Sequence, residues 1–228
     1  MLSATVGTST VFSASTLSDP FGGSLTLSVK VRPEGAAASS PTGIVEFLVL
    51  ENKKQVTFTT ATLTHTGHAS FTFSPGNALF VGDYTFSARY LGGTNFVGSI
   101  SRKSQVAVAS PSLTVDSNGL ELATTQTGTG KGVKNGKELT VQYTGYLESN
   151  GEIFDDSDEH SPQTLQFTLG GDFIGGWNAG ILGMKLGETR CIVIPESSTL
   201  GYGDNPPPGS IITDNAALVF VVHVVSVP

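Results

Sequence analysis

The chain has 228 residues, 38% of them hydrophobic, and this length accommodates two ordinary domains. Its formal net charge is −7, and its Lys and Arg residues lack the clustering that phosphate binding needs, which argues against a nucleic-acid partner. No apolar run approaches the length of a membrane-spanning helix, and the single cysteine, Cys191, excludes an intrachain disulfide and a cysteine-based zinc site.

The first hundred residues alternate short apolar and polar runs between turn-forming residues, a pattern typical of a mostly β domain. Seven strands at this spacing predict a β-sandwich. They are Thr10–Ala14, Leu25–Arg32, Gly43–Glu51, Gln55–Leu63, Gly67–Ser74, Gly82–Leu91 and Lys103–Val108.

Proline and small polar residues interrupt the strand pattern at Ala109–Ser112, which predicts a first domain of residues 1–110 and a second of 111–228. The charge is divided unequally at this point. The first part carries 7 basic and 5 acidic side chains and the second 5 basic and 14 acidic, giving +2 and −9. A solvated acidic surface accounts for this, and a preference for neutral or basic peptides is the alternative.

The second domain combines three amphipathic strands with one helix. Alternating apolar residues predict strands around Leu139–Tyr143, Leu165–Leu169 and Leu218–Val222. Trp177, Ile181 and Met184 recur at helical spacing, which predicts a helix over Gly176–Lys185. We therefore expect an α+β antiparallel sheet wrapped around one short helix.

A tyrosine, a Phe-Asp pair, a tryptophan and a second tyrosine follow one another through this domain, at Tyr143, Phe154-Asp155, Trp177 and Tyr202. Large, weakly polar side chains suit a pocket that holds an apolar ring, rather than a site that activates a nucleophile. Taken singly, the aromatic residues could also be ordinary core residues. The acidic run Asp155–Glu159 is interpreted as a solvated turn, with a calcium loop as the alternative.

Three motifs in the first domain resemble bacterial Ig-like repeats of large surface and secreted proteins, over about residues 5–109. They are Pro41–Phe47, Gly82–Tyr90 and Gly92–Ser99. The resemblance implies a spacer or adhesive module and an extracytoplasmic or secreted location. The N-terminus lacks the pattern of an export signal, so we expect the sequence to be a piece of a longer protein.

The second domain resembles the FKBP-type peptidyl-prolyl isomerases over about residues 115–227. The motifs that carry the resemblance occur in order, as Val141–Gly145, Phe154-Asp155, Phe167–Gly170, Phe173–Trp177, Gly183–Glu188, Leu200–Gly203 and Ala216–Phe220. The resemblance implies catalysed rotation about X-Pro bonds in peptides or unfolded proteins, without cofactor or metal. It also implies macrolide inhibitors such as tacrolimus and rapamycin, and we expect a monomer.

The resemblance also implies the residues of the site, through the positions of this sequence that match the motifs of the family. The catalytic set is Asp155, Tyr202, Tyr143, Phe154 and Trp177, and the substrate-binding set is Phe167, Phe173, Ile174, Ile211, Ile212, Phe220 and Leu165. By this resemblance Trp177 forms the floor, the Ile174 N–H and the Tyr202 hydroxyl hold substrate carbonyls, and Asp155 faces the carbonyl that precedes proline.

The sequence departs from the family pattern at three places. Leu165 stands where an aromatic residue is common, the loop Asp204–Ser210 is rich in proline and one residue longer, and Thr213-Asp214 replaces a proline pair. These departures support an alternative function, a non-catalytic module that binds proline peptides or serves in adhesion.

Overall fold

The computed structural model describes residues 5–35, 39–197 and 199–228. Strands dominate, and the mostly β fold is confirmed. The strands are β1 Thr8–Ala14, β2 Ser18–Pro20, β3 Leu25–Pro33, β4 Ile44–Glu51, β5 Lys54–Thr62, β6 His68–Phe73, β7 Gly82–Tyr90, β8 Ser99–Ile100, β9 Ser104–Ala109, β10 Thr114–Val115, β11 Glu121–Gln126, β12 Thr129–Gly132, β13 Glu138–Leu147, β14 Ile153–Asp156, β15 Leu165–Thr168, β16 Lys185–Leu186, β17 Thr189–Ile194 and β18 Leu218–Ser226. The helix α1 spans Gly175–Ile181, and a 3₁₀ turn spans Ser157–Glu159.

The chain forms two compact units. Unit 1 contains the residues up to Asp19 together with Leu25–Thr72 and Gly82–Val108. Unit 2 contains Pro20–Ser24, Phe73–Val81 and Ala109–Pro228. Unit 2 therefore includes two short segments from the first hundred residues. Within the described parts of the chain, no helix has the length and apolar character needed to cross a bilayer.

Unit 1 is built on two antiparallel sheets, and the predicted sandwich is confirmed. One sheet has the order β1-β3-β6, and the other has the order β2-β9-β7-β4-β5, with β8 paired to β7. Alternate residues of β3, beginning with Leu25 and Leu27, are fully buried. Phe71 of β6 meets Phe47 and Phe58 of the other sheet at ring-centroid distances of 6.4 and 5.6 Å. These rings fill the space between the sheets, as in other sandwiches.

Unit 2 contains one antiparallel sheet in the order β10-β11-β17-β18-β13-β14. The outer edge of β13 pairs with two strands in succession, since β15 pairs with Glu138–Val141 and β14 with Thr144–Tyr146. The change of partner occurs at Tyr143. The predicted pocket residues of three strands are therefore neighbours across β13.

The segment Phe73–Val81 is bonded to β13 within unit 2. The buried hydroxyl of Thr144 donates to the Pro75 carbonyl and accepts from the Ala78 N–H, each at 3.0 Å. The Tyr146 hydroxyl donates to the Ala78 carbonyl at 2.5 Å. The face of β13 opposite the predicted pocket is thus occupied by backbone of this segment.

The helix is shorter than predicted. The spacing of Trp177, Ile181 and Met184 predicts Gly176–Lys185, whereas α1 ends at Ile181 and Lys185 belongs to β16. Leu182 leaves the helical conformation with φ of −54° and ψ of 129°, and Gly183 has φ of +81°, a left-handed conformation that glycine adopts without strain. The turn returns Met184 to the same apolar cluster as Trp177 and Ile181, fully buried. The spacing identified the buried side chains correctly but not the backbone that carries Met184.

The helix packs on β17 through glycine. A Cβ added at Gly180 would lie 2.6 Å from Cγ2 of Ile192, and one added at Gly176 would lie 2.7 Å from Cδ1 of Ile194. The two glycines are four residues apart and share one face of α1, while the two isoleucines are two apart and share one face of β17. The absence of side chains at Gly176 and Gly180 therefore sets the distance between α1 and β17.

We predict that Gly180→Ala destabilises unit 2 by up to about 2 kcal/mol, because overpacking against Ile192 costs about 1–3 kcal/mol and the gain in helix propensity returns only ~1 kcal/mol of it. In an Ile192→Ala background the same change is expected to be neutral or stabilising, since the opposing methyl groups are gone. Denaturant unfolding followed by fluorescence of Trp177, the sole tryptophan, measures both effects. Equal destabilisation in the two backgrounds would show that the contact does not set the helix position.

Candidate functional site

One pocket of unit 2 gathers nine of the twelve predicted site residues. It encloses about 70 Å³ and opens to solvent. The lining residues are Tyr143, Phe154, Asp155, Leu165, Phe173, Ile174, Trp177, Tyr202 and Phe220, all of them in the predicted set. The series of aromatic residues therefore surrounds a single cavity rather than being dispersed through the core.

Strand register brings the walls together. Across β13, Gly145 is paired with Asp155 of β14 and with Phe220 of β18, and Val141 is paired with Leu165 of β15. Side chains two residues apart on a strand share a face. The register therefore places the walls around the single residue Tyr143.

Trp177 forms the base of the pocket and is only 3% exposed. Its ring is in edge contact with Tyr143 at 5.3 Å and 81° and with Phe220 at 5.1 Å and 71°, arrangements that aromatic pairs favour. Its buried indole N–H has no acceptor among the described residues. The floor that the pocket meets is therefore the aromatic ring itself, with its N–H buried.

Gly145 allows the aromatic walls to meet. A Cβ at this position would lie 2.6 Å from the Phe154 ring and 2.9 Å from the Phe220 ring. The two rings are in edge contact with each other at 5.4 Å and 87°. A side chain at residue 145 would push the rings apart, so the shape of the wall requires glycine.

Asp155 is the carboxylate of the pocket and has a different partner on each oxygen. Its Oδ2 accepts the Tyr143 hydroxyl at 2.6 Å, and its Oδ1 lies 2.8 Å from Nε2 of His160. The sequence interpretation did not include His160. The available signal was its position, as the first side chain able to carry positive charge after the acidic run Asp155–Glu159.

The turn that follows Asp155 is fixed by its own side chains. The Ser157 hydroxyl accepts the Tyr143 N–H at 3.1 Å, and Asp156 Oδ1 accepts the Glu159 N–H at 3.0 Å, capping the 3₁₀ turn. The described residues contain no group of three or more His, Cys, Asp or Glu side chains placed to hold a metal ion. The Asp155 carboxylate bonds to Tyr143 in the pocket, and the Asp156 carboxylate caps the turn.

Burial is the main cause of the electrostatic shifts at the site. It raises the pKa of Tyr143, and the hydrogen bond to Asp155 and the charge of that carboxylate raise it further. Burial, followed by the charge of Asp155, also raises the pKa of Tyr202. Both phenols therefore remain protonated donors at neutral pH. Neither the Tyr202 hydroxyl nor the Ile174 N–H has a hydrogen-bond partner within residues 5–35, 39–197 and 199–228.

Comparisons with known proteins agree with this geometry. The family described as FKBP-type peptidyl-prolyl cis-trans isomerase matches residues 129–225, and the family described as bacterial Ig-like domain (group 3) matches residues 10–109. The chain is 45% identical over 111 residues to an FK506-binding protein of Neisseria meningitidis serogroup B, an alignment that covers 48% of this chain and 96% of that protein. The chain belongs to the FKBP-type peptidyl-prolyl cis-trans isomerase family.

Other relatives are similar to a comparable share of the FKBP-type chain. FK506-binding protein 2 of Kluyveromyces lactis is 44% identical over 93 residues, 40% of this chain and 64% of that protein. Among solved structures, FkpA from Escherichia coli is 34% identical with a TM-score of 0.45, covering 50% of this chain and 51% of that one. The chain thus spans about half the length of FkpA.

Three predicted site residues of the FKBP-type domain lie outside the pocket lining. Phe167 is buried behind it, with its ring 4.8 Å from Phe173 and 5.8 Å from Trp177. Ile212 is 6% exposed and belongs to the apolar core, whereas Ile211 is 44% exposed. The buried Phe167 and Ile212 therefore support the pocket from behind. The part of all three in substrate binding stays a prediction.

We predict that Tyr143→Phe is less stable than the wild type near neutral pH, because the loss of a hydrogen bond to a carboxylate costs about 1–3 kcal/mol. The difference should shrink as the pH rises above about 10. An unfolded tyrosine ionises there, while the raised pKa keeps Tyr143 protonated in the folded state, so wild-type stability falls with pH through this group. Urea unfolding at several pH values measures the difference, and a constant gap would contradict the assignment.

Proposed function

We propose that the pocket of unit 2 binds the proline ring of peptides or unfolded proteins and accelerates rotation about the X-Pro bond without covalent chemistry. The observation that carries this proposal is the apolar aromatic cup on Trp177 with a single carboxylate, Asp155, at its side. A cup of this kind fits a small apolar ring and offers no activated nucleophile.

The physical basis is the loss of amide resonance during rotation. The planar peptide bond is held by a barrier of about 18–20 kcal/mol, and X-Pro bonds isomerise unaided over tens of seconds or more. Twisting removes much of the charge separation that water stabilises. An apolar pocket therefore disfavours the planar state relative to the twisted state, and each ~1.4 kcal/mol of this difference accelerates the reaction about tenfold.

Polar groups at the edge of the pocket give the substrate its orientation in this proposal. The Ile174 N–H and the Tyr202 hydroxyl are donors to substrate carbonyls, and both lack hydrogen-bond partners among the described residues. Asp155 faces the carbonyl that precedes proline, with its position fixed by Tyr143. Such preorganised dipoles contribute to catalysis because they need no rearrangement when the bond twists.

The wider biological setting belongs to the same proposal. We infer a role in protein folding outside the cytoplasm, because the isomerase follows a bacterial Ig-like domain whose motifs resemble the repeats of surface and secreted proteins. Macrolides such as tacrolimus and rapamycin are expected inhibitors, since relatives are named FK506-binding proteins. We expect the chain to act as a monomer.

An exchange assay on a short X-Pro peptide tests the activity directly. We predict that the full chain accelerates cis–trans exchange, measured by nuclear magnetic resonance, and that the same peptide quenches or shifts the fluorescence of Trp177. Tacrolimus should suppress both signals by occupying the pocket. A fluorescence change without faster exchange would instead favour a non-catalytic proline-binding module. If the peptide caused no fluorescence change and no faster exchange, the assigned pocket would be rejected.

We predict that Asp155→Ala and Tyr202→Phe each lower kcat/KM about tenfold or more, because each removes a polar group from the edge of the pocket. Asp83→Ala, an exposed carboxylate of unit 1, is the charge-matched control and should retain wild-type activity. Thermal unfolding of every variant separates lost chemistry from lost fold. Full activity in both site variants would show that these roles are assigned incorrectly.

A further inference from the structure

A second and larger cavity of unit 2, the rear cavity, is lined by residues that include Phe21, Cys191 and Val219. It encloses about 260 Å³, and every residue that lines it belongs to unit 2. We propose that the rear cavity binds a small organic cation, with an apolar ring system in the cavity and an ammonium group at the carboxylates of Glu121 and Glu148. Binding at this site does not depend on the isomerase activity.

Strand register forms the floor of the rear cavity as a row of residues across the sheet. Glu121 of β11 is paired with Val193 of β17. Val193 is paired with Val219 of β18, which is paired in turn with Tyr146 of β13. Phe220, the residue after Val219, lines the aromatic pocket instead. Because successive side chains of a strand point to opposite faces, the two cavities lie on opposite sides of one sheet.

Aromatic rings form one side of the rear cavity. Phe21 and Phe80 line it in edge contact at 5.6 Å and 82°, and their rings lie 5.6 and 5.1 Å from that of Tyr146. Gly22 lets the segment of Phe21 lie directly on the sheet, since a Cβ there would be 2.6 Å from Cγ1 of Val221. This side therefore presents ring faces and edges, which attract aromatic rings and cations.

The thiol of Cys191 marks the dry inner end of the rear cavity. Cys191 lines the cavity, is 2% exposed and is a free cysteine. Burial, followed by the charge of Glu121, raises the pKa of Cys191 to about 12. The thiol therefore stays protonated and is a poor nucleophile. The effect of Glu121 on this thiol also places its carboxylate close to the interior, so the cavity suits non-covalent binding of an apolar group beside a negative charge.

Two carboxylates give the rear cavity its preference for positive charge. Glu121 is half-buried, and Glu148 is exposed just beyond β13, where its N–H donates to the Ala217 carbonyl at 3.0 Å. Glu148 follows Tyr146 by two residues and so shares its face of the sheet. Among the described residues that line the cavity, none is Lys, Arg or His. A negative field without a compensating cation attracts an ammonium ligand and repels a carboxylate.

The volume of the rear cavity sets the size of the ligand. An apolar cavity of about 150 Å³ holds benzene, so about 260 Å³ has room for two fused rings. Ser110 and Glu148 are exposed and mark the opening, so a short chain must carry the ammonium group from the rings toward the surface. Naphthylmethylamine has this composition and is the probe for the test. Naphthylmethanol is its neutral match in size and shape.

Titration calorimetry on the full chain compares the amine with the alcohol. The amine should bind with a Kd of about 0.1–1 mM, about fivefold tighter than the alcohol, the upper range of an exposed ion pair. This ratio should approach one in Glu121→Gln/Glu148→Gln, with the affinity for the alcohol unchanged. Glu152→Gln/Glu196→Gln removes two exposed carboxylates of unit 2 outside the lining and should keep the wild-type ratio. Equal affinity for the two compounds in the wild type, or no binding of the amine, would overturn the proposal.

Filling the rear cavity tests the location. Val193→Phe puts a ring into the floor and should weaken binding of the amine at least about tenfold. Val225→Phe, on β18 at a position 42% exposed and outside the lining, is the matched control and should bind as the wild type does. Ser110→Phe blocks the opening from an exposed position and serves if Val193→Phe does not fold. Wild-type binding in folded Val193→Phe or in Ser110→Phe would contradict this location.

Asp155→Ala distinguishes the rear cavity from the aromatic pocket, which also combines rings with a carboxylate. The affinity for the amine should be unchanged in this variant. An affinity that falls in Asp155→Ala and survives in Glu121→Gln/Glu148→Gln would place the amine in the aromatic pocket and reject the rear site. Calorimetry measures binding alone, so a chain without X-Pro exchange activity still gives this result, and the two hypotheses fail separately.

Discussion

The close approach of α1 to β17 is the constraint on which the site depends. A helix of seven residues is not stable on its own, so its position must come from packing. Gly176 and Gly180 provide that packing by leaving room for Ile194 and Ile192. Trp177 lies between the two glycines in sequence and is carried with the helix. The position of Trp177 at the base of the pocket is therefore set by residues that do not line the pocket.

The apolar floor determines what the polar edge of the pocket can do. Charges and dipoles interact more strongly where water is excluded, so one carboxylate is sufficient to give an otherwise aromatic cup a polar side. Asp155 occupies this place with its side chain 43% exposed, and Tyr143 donates to one of its oxygens while His160 meets the other. After burial, Asp155 raises the pKa of Tyr143 through both a hydrogen bond and its charge, and that of Tyr202 through its charge.

The sequence predicted the pocket better than the framework that supports it. An ordered series of motifs identified all nine lining residues, because the residue types of a ring-binding cup are themselves distinctive. Helical spacing could not show that Met184 reaches the core through a turn at Gly183 rather than through α1. His160 was missed because a histidine after an acidic run has no pattern of its own. The inclusion of Phe73–Val81 in unit 2 depends on tertiary contacts such as those of Thr144, which leave no periodic signal.

Phe167 and Ile212 show where residue type stops being informative. Both are predicted to bind substrate, a role that stays a prediction, and both are buried in the apolar cluster that also contains Trp177 and Phe220. An aromatic wall and the side chains behind it have the same composition, so only the folded structure separates them. The pocket is one face of the hydrophobic core rather than a cavity added to it. Its shape is therefore as fixed as the packing of that core, which is the preorganisation that binding a twisted peptide bond requires.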